Sequence, residues 1–188
     1  MRHVSSTLLL SALLSVVCVP RAQSVSPNGS PGTQPEREAI VGAWRLVSIT
    51  YTGPNGALAD PVFGPRSEGL IIYDPSGWMS VQIYSVDRPA MARPPTRTLG
   101  SVSPEAAKAK AAAFDTYYAY FGTWDYDAST SIITHHLKSS LLPYETGVDY
   151  RRSASINGGR LELTVSNQVD GETRRRTLVW ERPPSETK

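Results

Sequence analysis

Ile40-Val41-Gly42-Ala43-Trp44-Arg45-Leu46-Val47-Ser48 stands where the alternating, β-branched part of the chain begins. A glycine two places before a tryptophan, leading into a strand of period two, reads as the opening strand of a small antiparallel barrel. The alternation, rich in Val, Ile and Thr, continues to residue 52.

Outward from this stretch, turn chemistry divides the chain into short strands. Gly53-Pro54-Asn55-Gly56 is a turn, with Asn-Gly suited to positive φ, and a short strand follows at 57–60. Residues 68–73 and 78–84 form a hairpin about Asp74-Pro75-Ser76-Gly77, whose proline takes the second turn position. Residues 86–102 make a loop marked by Arg88-Pro89, Arg93-Pro94-Pro95 and Leu99-Gly100. Ser103-Pro104-Glu105 then starts a helix: Ser103 as N-cap, Pro104 at the first helical position, Glu105 favouring the dipole. The helix is expected to run to Tyr118, with Ala107, Ala111, Phe114, Tyr118 and Phe121 as an apolar stripe packed on the outside of the sheet. Strands resume at 120–126 and 132–137, then at 148–156 and 160–166 about Asn157-Gly158-Gly159, and finally at 173–182. Gly122-Thr123-Trp124 echoes Gly42-Ala43-Trp44, a faint two-fold repeat.

Such a set of short strands must hide its edges, and closure into a barrel does so best. The expected fold is all-β, an antiparallel barrel of about eight or nine strands with one helix outside, able to hold one small ligand.

The front of the chain has a different character. Arg2 and His3, the apolar run from Leu8 to Val19, and Ala22-Gln23-Ser24 form the pattern of a cleaved secretion signal over 1–24. Cys18 as a lipidated residue is the rival, and Val17 before it argues against that. Residues 25–38, rich in Ser, Pro and Gly, read as a disordered leader, and 39–183 as one barrel domain. This places the protein outside the cytoplasm, secreted or periplasmic, with no membrane span in its mature form.

Cleavage would remove the single cysteine and two of the 19 basic residues, leaving 17 against 17 acidic ones. A neutral protein has no field to draw nucleic acid or an anionic membrane. The run Arg174-Arg175-Arg176 reads as a solvated strand edge.

The residues of the opening stretch, with Gly69-Leu70-Ile71-Ile72-Tyr73-Asp74-Pro75-Ser76-Gly77-Trp78-Met79-Ser80-Val81-Gln82 and Asp87-Arg88-Pro89, resemble the bacterial and fungal lipocalin-like domain family. Tyr117-Tyr118-Ala119-Tyr120-Phe121-Gly122-Thr123-Trp124, Thr134-His135-His136, Ser140-Leu141-Leu142-Pro143 and Leu178-Val179-Trp180-Glu181-Arg182 continue the likeness in order, over roughly 39–182. The resemblance implies a calycin-type barrel. It carries over no catalytic motif, although some fungal proteins with such barrels act as cyclases or isomerases. It also implies that a basic residue of the last strand, here Arg182, lies across a buried Trp44.

Chemistry-bearing residues are few. Apart from His3, the histidines are the pair His135-His136, whose neighbouring side chains point to opposite faces of a strand. Ile133, His135 and Leu137 form the more apolar face, so His135 is expected inward and His136 outward with Lys138. With no cysteine left, no metal or cofactor is expected. In the strand 78–84, Met79, Val81 and Ile83 share one face and Trp78, Ser80, Gln82 and Tyr84 the other. Hydrophobicity alone puts the first set in the core, but polar groups can line a ligand cavity. The candidate ligand-binding set is therefore Tyr73, Ser80, Gln82, Tyr84, His135 and His136. Tyr117-Tyr118-Ala119-Tyr120-Phe121, at the expected helix end, reads as core packing. No nucleophile elbow occurs.

The first reading is a protein that binds or carries a small hydrophobic molecule. The second is an isomerase or cyclase acting on such a molecule, and the third a filled barrel with a structural or envelope-interaction role. A cavity above about 300 Å³ disfavours the third, and a buried histidine beside tyrosine or glutamine at its floor favours the second over the first.

Overall fold

The computed structural model describes residues 37–58, 60, 63–91 and 103–184. The expected signal, nearly all of the expected leader and the loop at 92–102 lie outside the described residues. Arg37 and Glu38, read above as the leader's end, form with Ala39 and Ile40 a single helical turn, α1 (Arg37–Ile40).

Nine strands follow: β1 (Gly42–Gly53), β2 (Gly56–Leu58), β3 (Ser67–Tyr73), β4 (Trp78–Ser85), β5 (Tyr117–Asp127), β6 (Ile132–Ser140), β7 (Asp149–Asn157), β8 (Arg160–Val169) and β9 (Glu172–Glu181). Helix α2 (Pro104–Asp115) precedes β5, and a 3-10 turn, Pro143–Glu145, lies between β6 and β7. Each strand pairs antiparallel with the next in the order β1-β3-β4-β5-β6-β7-β8-β9, and β9 returns to β1. Eight strands thus close a barrel, and β2 is a ninth, paired to the far end of β1. No open edge remains on the eight-strand ring, which answers the exposed-edge problem.

Alternation fills the interior. Ile71 and Tyr73 of β3, Met79, Val81 and Ile83 of β4, Tyr120 and Trp124 of β5, Ile133 and Leu137 of β6, Leu161 and Leu163 of β8, and Leu178 and Trp180 of β9 form one buried cluster. In β1, Trp44 and Leu46 are inward, and an irregularity between Leu46 and Ser48 restores Ile49 to the core side. Without that bulge Ser48 would take the inward place. A second irregularity, where Gly122 pairs with Leu137 but Phe121 with Ser139, skips Lys138 and turns Ser140, rather than Ser139, toward Tyr120.

The turns follow the sequence expectations. Asp74 accepts from the amide of Ser76 at 2.9 Å, and the Gly77 amide donates back to Asp74 O at 3.0 Å. Gly158 and Gly159 both sit at positive φ, +56° and +77°, which a two-residue hairpin turn demands and glycine meets without steric cost.

One end of the barrel is packed by tryptophan. Trp44 is 2% exposed and its indole N–H donates to Ile40 O at 2.7 Å. Arg182 lies over the ring, 3.7 Å from its centroid. The second Gly-x-Trp is treated alike: Trp124 donates to Asp74 O at 3.0 Å and has Arg37 over its ring at 4.4 Å.

The helix departs from expectation. Ser103 caps it, accepting from the Ala106 amide at 3.3 Å, and Pro104 opens it. It ends at Asp115 rather than Tyr118, and none of its residues is buried; Phe114 is 41% exposed. Tyr118 and Phe121 belong to β5, where odd spacing puts them on opposite faces, so no continuous helical stripe exists. Pairing of Tyr117 to Tyr84 and Tyr118 to Ile83 across β4 and β5 overrides the helical spacing.

Candidate functional site

The barrel holds a cavity of about 500 Å³. Its wall is apolar through Ile49, Ile71, Val81, Ile83, Leu163, Val165, Leu178 and Trp180. The polar groups come from β5, β6, β7, β9 and the 3-10 turn, and fall into two clusters.

The deeper cluster centres on His135, which is fully buried in β6. Its Nε2 lies 2.8 Å from the hydroxyl of Tyr73 and its Nδ1 2.8 Å from the hydroxyl of Tyr120. The three rings come from β3, β5 and β6, and the tyrosines flank the imidazole at tilted angles. Burial holds His135 well below the usual imidazole range, and the cation of Arg152 and then His136 add to this. His135 is therefore neutral at physiological pH, with one nitrogen donating and one accepting. Burial likewise raises the pKa of both tyrosines, so both stay protonated.

The outer cluster centres on Glu145, buried at the end of the 3-10 turn. Its Oε2 accepts from Tyr118 at 2.8 Å and from Ser140 at 2.6 Å. Ser140 can take part because the bulge at Lys138 reverses parity there. Burial first, and then Glu145, push Tyr150 up to about 12. Arg176, also on the wall, lies with its Nε 3.0 Å from Asp60 Oδ2, an ion pair whose angle falls outside hydrogen-bond geometry. Arg152 lines the cavity between the clusters with its guanidinium 5.1 Å from the Tyr150 ring centre.

His135 lies inward and on the wall, as its parity implied, and Tyr73 is beside it but behind the wall rather than on it. His136 is on the outer face, with Nδ1 2.6 Å from Asp149 and Nε2 2.6 Å from Asp125. Ser80, Gln82 and Tyr84 also face outward, a correction to their place as cavity candidates. Met79, Val81 and Ile83 hold the interior positions of β4, because burying three apolar side chains outweighs any gain from polar ones there. Gln82 and Tyr84 instead line an outer pocket of about 340 Å³ with Glu68 and Tyr117, where the Tyr84 hydroxyl donates to Glu68.

Tyr118, Tyr120, Glu145, Tyr150 and Arg152 were not singled out as site residues. The helical spacing takes in Tyr118, and Tyr120, at the start of the expected strand 120–126, reads as core packing; period-two alternation along β5 is the signal that places both inward together. Tyr150 and Arg152 share the face of Ala154 in β7, so that parity was readable too. Glu145 comes from a turn with no periodicity to read.

Among the described residues no group of three His, Cys, Asp or Glu is placed to hold a metal, and no helix is long and apolar enough to cross a membrane. The model of the lipocalin-like domain matches residues 41–183, the whole barrel. The chain belongs to the lipocalin-like domain family. No curated protein matches this lipocalin-like chain. Among solved structures, a crystal structure of rhizavidin overlaps 75% of this chain and 87% of its own, at 12% identity and a TM-score of 0.28. A score that low bears on neither the barrel's details nor its contents.

Proposed function

We propose that this lipocalin-like protein binds or carries a small, mainly apolar molecule inside its barrel. The cavity of about 500 Å³ carries the reading. It lies in the ordinary range of small-molecule sites, and it has the usual composition of many apolar walls and a few grouped polar ones. A volume of this size stands against a filled barrel with a purely structural role. Tyr120 is the proposed polar contact at depth, with His135, itself held by Tyr73, positioning the Tyr120 hydroxyl. Ser80, Gln82, Tyr84 and His136 have no part in it. The signal-like pattern over residues 1–24 supports export of the protein, secreted or periplasmic.

The test is native mass spectrometry of protein purified from the cells that make it, followed by solvent extraction. A mass increment that disappears on extraction is expected. Protein that carries nothing and takes up no apolar probe would overturn the reading.

The Tyr73–His135–Tyr120 arrangement favours a second reading, an isomerase or cyclase of the same bound molecule. A neutral imidazole between two hydroxyls can pass a proton from one side to the other. Incubation of the extracted molecule with fresh protein distinguishes the two. A carrier returns it unchanged, whereas an enzyme converts it and His135→Ala does not.

A further inference from the structure

The hydrogen bonds of His135 determine which group meets a ligand. A neutral imidazole donates through one nitrogen only. Tyr73 is fully buried, is absent from the cavity wall, and has no hydrogen-bond partner among the described residues but His135. If His135 donated to Tyr73, the Tyr73 hydroxyl hydrogen would be enclosed without an acceptor among the described residues, which a buried donor does not tolerate cheaply. Tyr73 therefore donates to Nε2, and His135 carries its proton on Nδ1 and donates to Tyr120. The Tyr120 oxygen is then an acceptor toward His135, and its own hydrogen has no acceptor in the described protein. Tyr120 lines the cavity, so that hydrogen points to what the cavity holds.

Arg152 tells the same story in charge. Among the charged groups on the wall, Arg176 faces Asp60, Glu145 is engaged by Tyr118 and Ser140, and Asp149 is held on the outer face by His136. Arg151 is exposed. Arg152 alone is half-buried and has no ion-pair or hydrogen-bond partner among the described residues, only the Tyr150 ring. Its charge is felt at Tyr73, Tyr120 and His135, opposed at Tyr120 by that of Glu145. The Trp180 indole N–H, in the same wall, also lacks a partner among the described residues. The part of the cavity around His135 and Tyr120 thus holds several donors without partners among the described residues.

We infer that the bound molecule is an amphiphile with a carboxylate, that the carboxylate enters first, and that it lies between the Tyr120 hydroxyl and the Arg152 guanidinium with the apolar part toward Ile49 and Val165. This rests on the proposed binding function and deepens it. Charge-assisted hydrogen bonds supply the selectivity, since an alcohol of the same length offers Arg152 no charge. His135 is a positioning residue: it aims the Tyr120 hydrogen and does not touch the carboxylate.

The test is calorimetric titration of the full chain with decanoate and with decanol at pH 7.5, for the unmodified protein, Arg152→Met and Tyr120→Phe, with circular dichroism to check the fold. Decanoate is expected to bind at least 20-fold tighter than decanol. Arg152→Met is expected to bring the two within 3-fold of each other by weakening decanoate alone. Tyr120→Phe is expected to weaken decanoate about 5-fold or more, with decanol little changed. Equal affinity for the two probes, or a preference surviving Arg152→Met, would overturn the carboxylate inference while leaving apolar binding intact. Failure of both probes to bind would overturn the binding function itself. Nitrogen-15 spectra of labelled protein give an independent readout: His135 is expected as the Nδ1–H form, and the Nε2–H form would remove Tyr120 as the donor.

Discussion

The guanidinium of Arg182 sits 3.7 Å from the centre of the Trp44 ring and donates to Ala39 O at 2.8 Å and to Ala43 O at 3.3 Å. One side chain thereby seals the indole and ties the residue after β9 to the strand and turn that open the domain. Desolvation lowers the pKa of Arg182 from its usual value, consistent with a cation pressed against an aromatic face.

Trp44→Ala should destabilise the protein by roughly 3–5 kcal/mol, as large-to-small aromatic core changes do. Arg182→Gln should cost less, about 0.5–2 kcal/mol, because it keeps the packing of Trp44 and removes the cation–π contact. Urea unfolding followed by circular dichroism measures both. A Trp44→Ala protein with an unchanged midpoint would contradict the packing role.

Gly122→Ala should be among the costliest single-methyl additions. A Cβ there would meet backbone: the His136 carbonyl oxygen at a distance no real Cβ shows, the His136 carbonyl carbon at 2.9 Å and the Lys138 amide nitrogen at 3.0 Å. None of these is the end of a flexible side chain, so β5 and β6 must part. A loss of about 2 kcal/mol or more in urea is expected. Gly158→Ala, which meets open space but sits at positive φ, should cost about 1 kcal/mol.

The adjacent histidines should give the stability a maximum near pH 6.5. His135 is depressed in the fold, so the unfolded chain binds a proton that the native one refuses, and stability falls as pH drops through the ordinary value of about 6.5. His136 is raised, first by its hydrogen bond to Asp125 and next by that to Asp149. Its contribution is complete below about 6.5 and is lost as pH rises through the folded value. His136 is over a third exposed, so its limb should be under about 1 kcal/mol. Urea midpoints from pH 5 to 9 check the profile, and His136→Asn should flatten only the alkaline side.

Phe114→Ser should change stability by no more than about 0.5 kcal/mol, since α2 buries nothing. Thermal melts would show this, and a large loss would mean that the helix is anchored by that ring after all.

The barrel and its packed end were legible because they rest on local signals. Turn residues fix each hairpin, alternation fixes each face, and the Gly-x-Trp pair marks both tryptophans. His135 was legible because three consecutive inward positions of β6 precede the bulge at Lys138. The rest of the site was not. Tyr120, Glu145 and Arg152 come from a strand disguised as a helix end, from a 3-10 turn, and from a strand whose inward arginine looks like surface. Ser80, Gln82 and Tyr84 show the converse: the polar side chains of β4 lie on its outer face, while Met79, Val81 and Ile83 take the inward positions. Ser140 became inward only through a bulge, which alternation does not announce.

The seam between β1 and β9 joins partners very far apart in the chain: Arg182 reaches back 139 and 143 residues for its two backbone acceptors. Contacts of such separation carry the largest loop-closure entropy and are slow to form. During synthesis the hairpins can assemble as they emerge, but the ring cannot shut until its final strand has been made. The binding chamber is therefore the last thing the nascent chain acquires, and a molecule that needs the closed wall has no folding intermediate to bind.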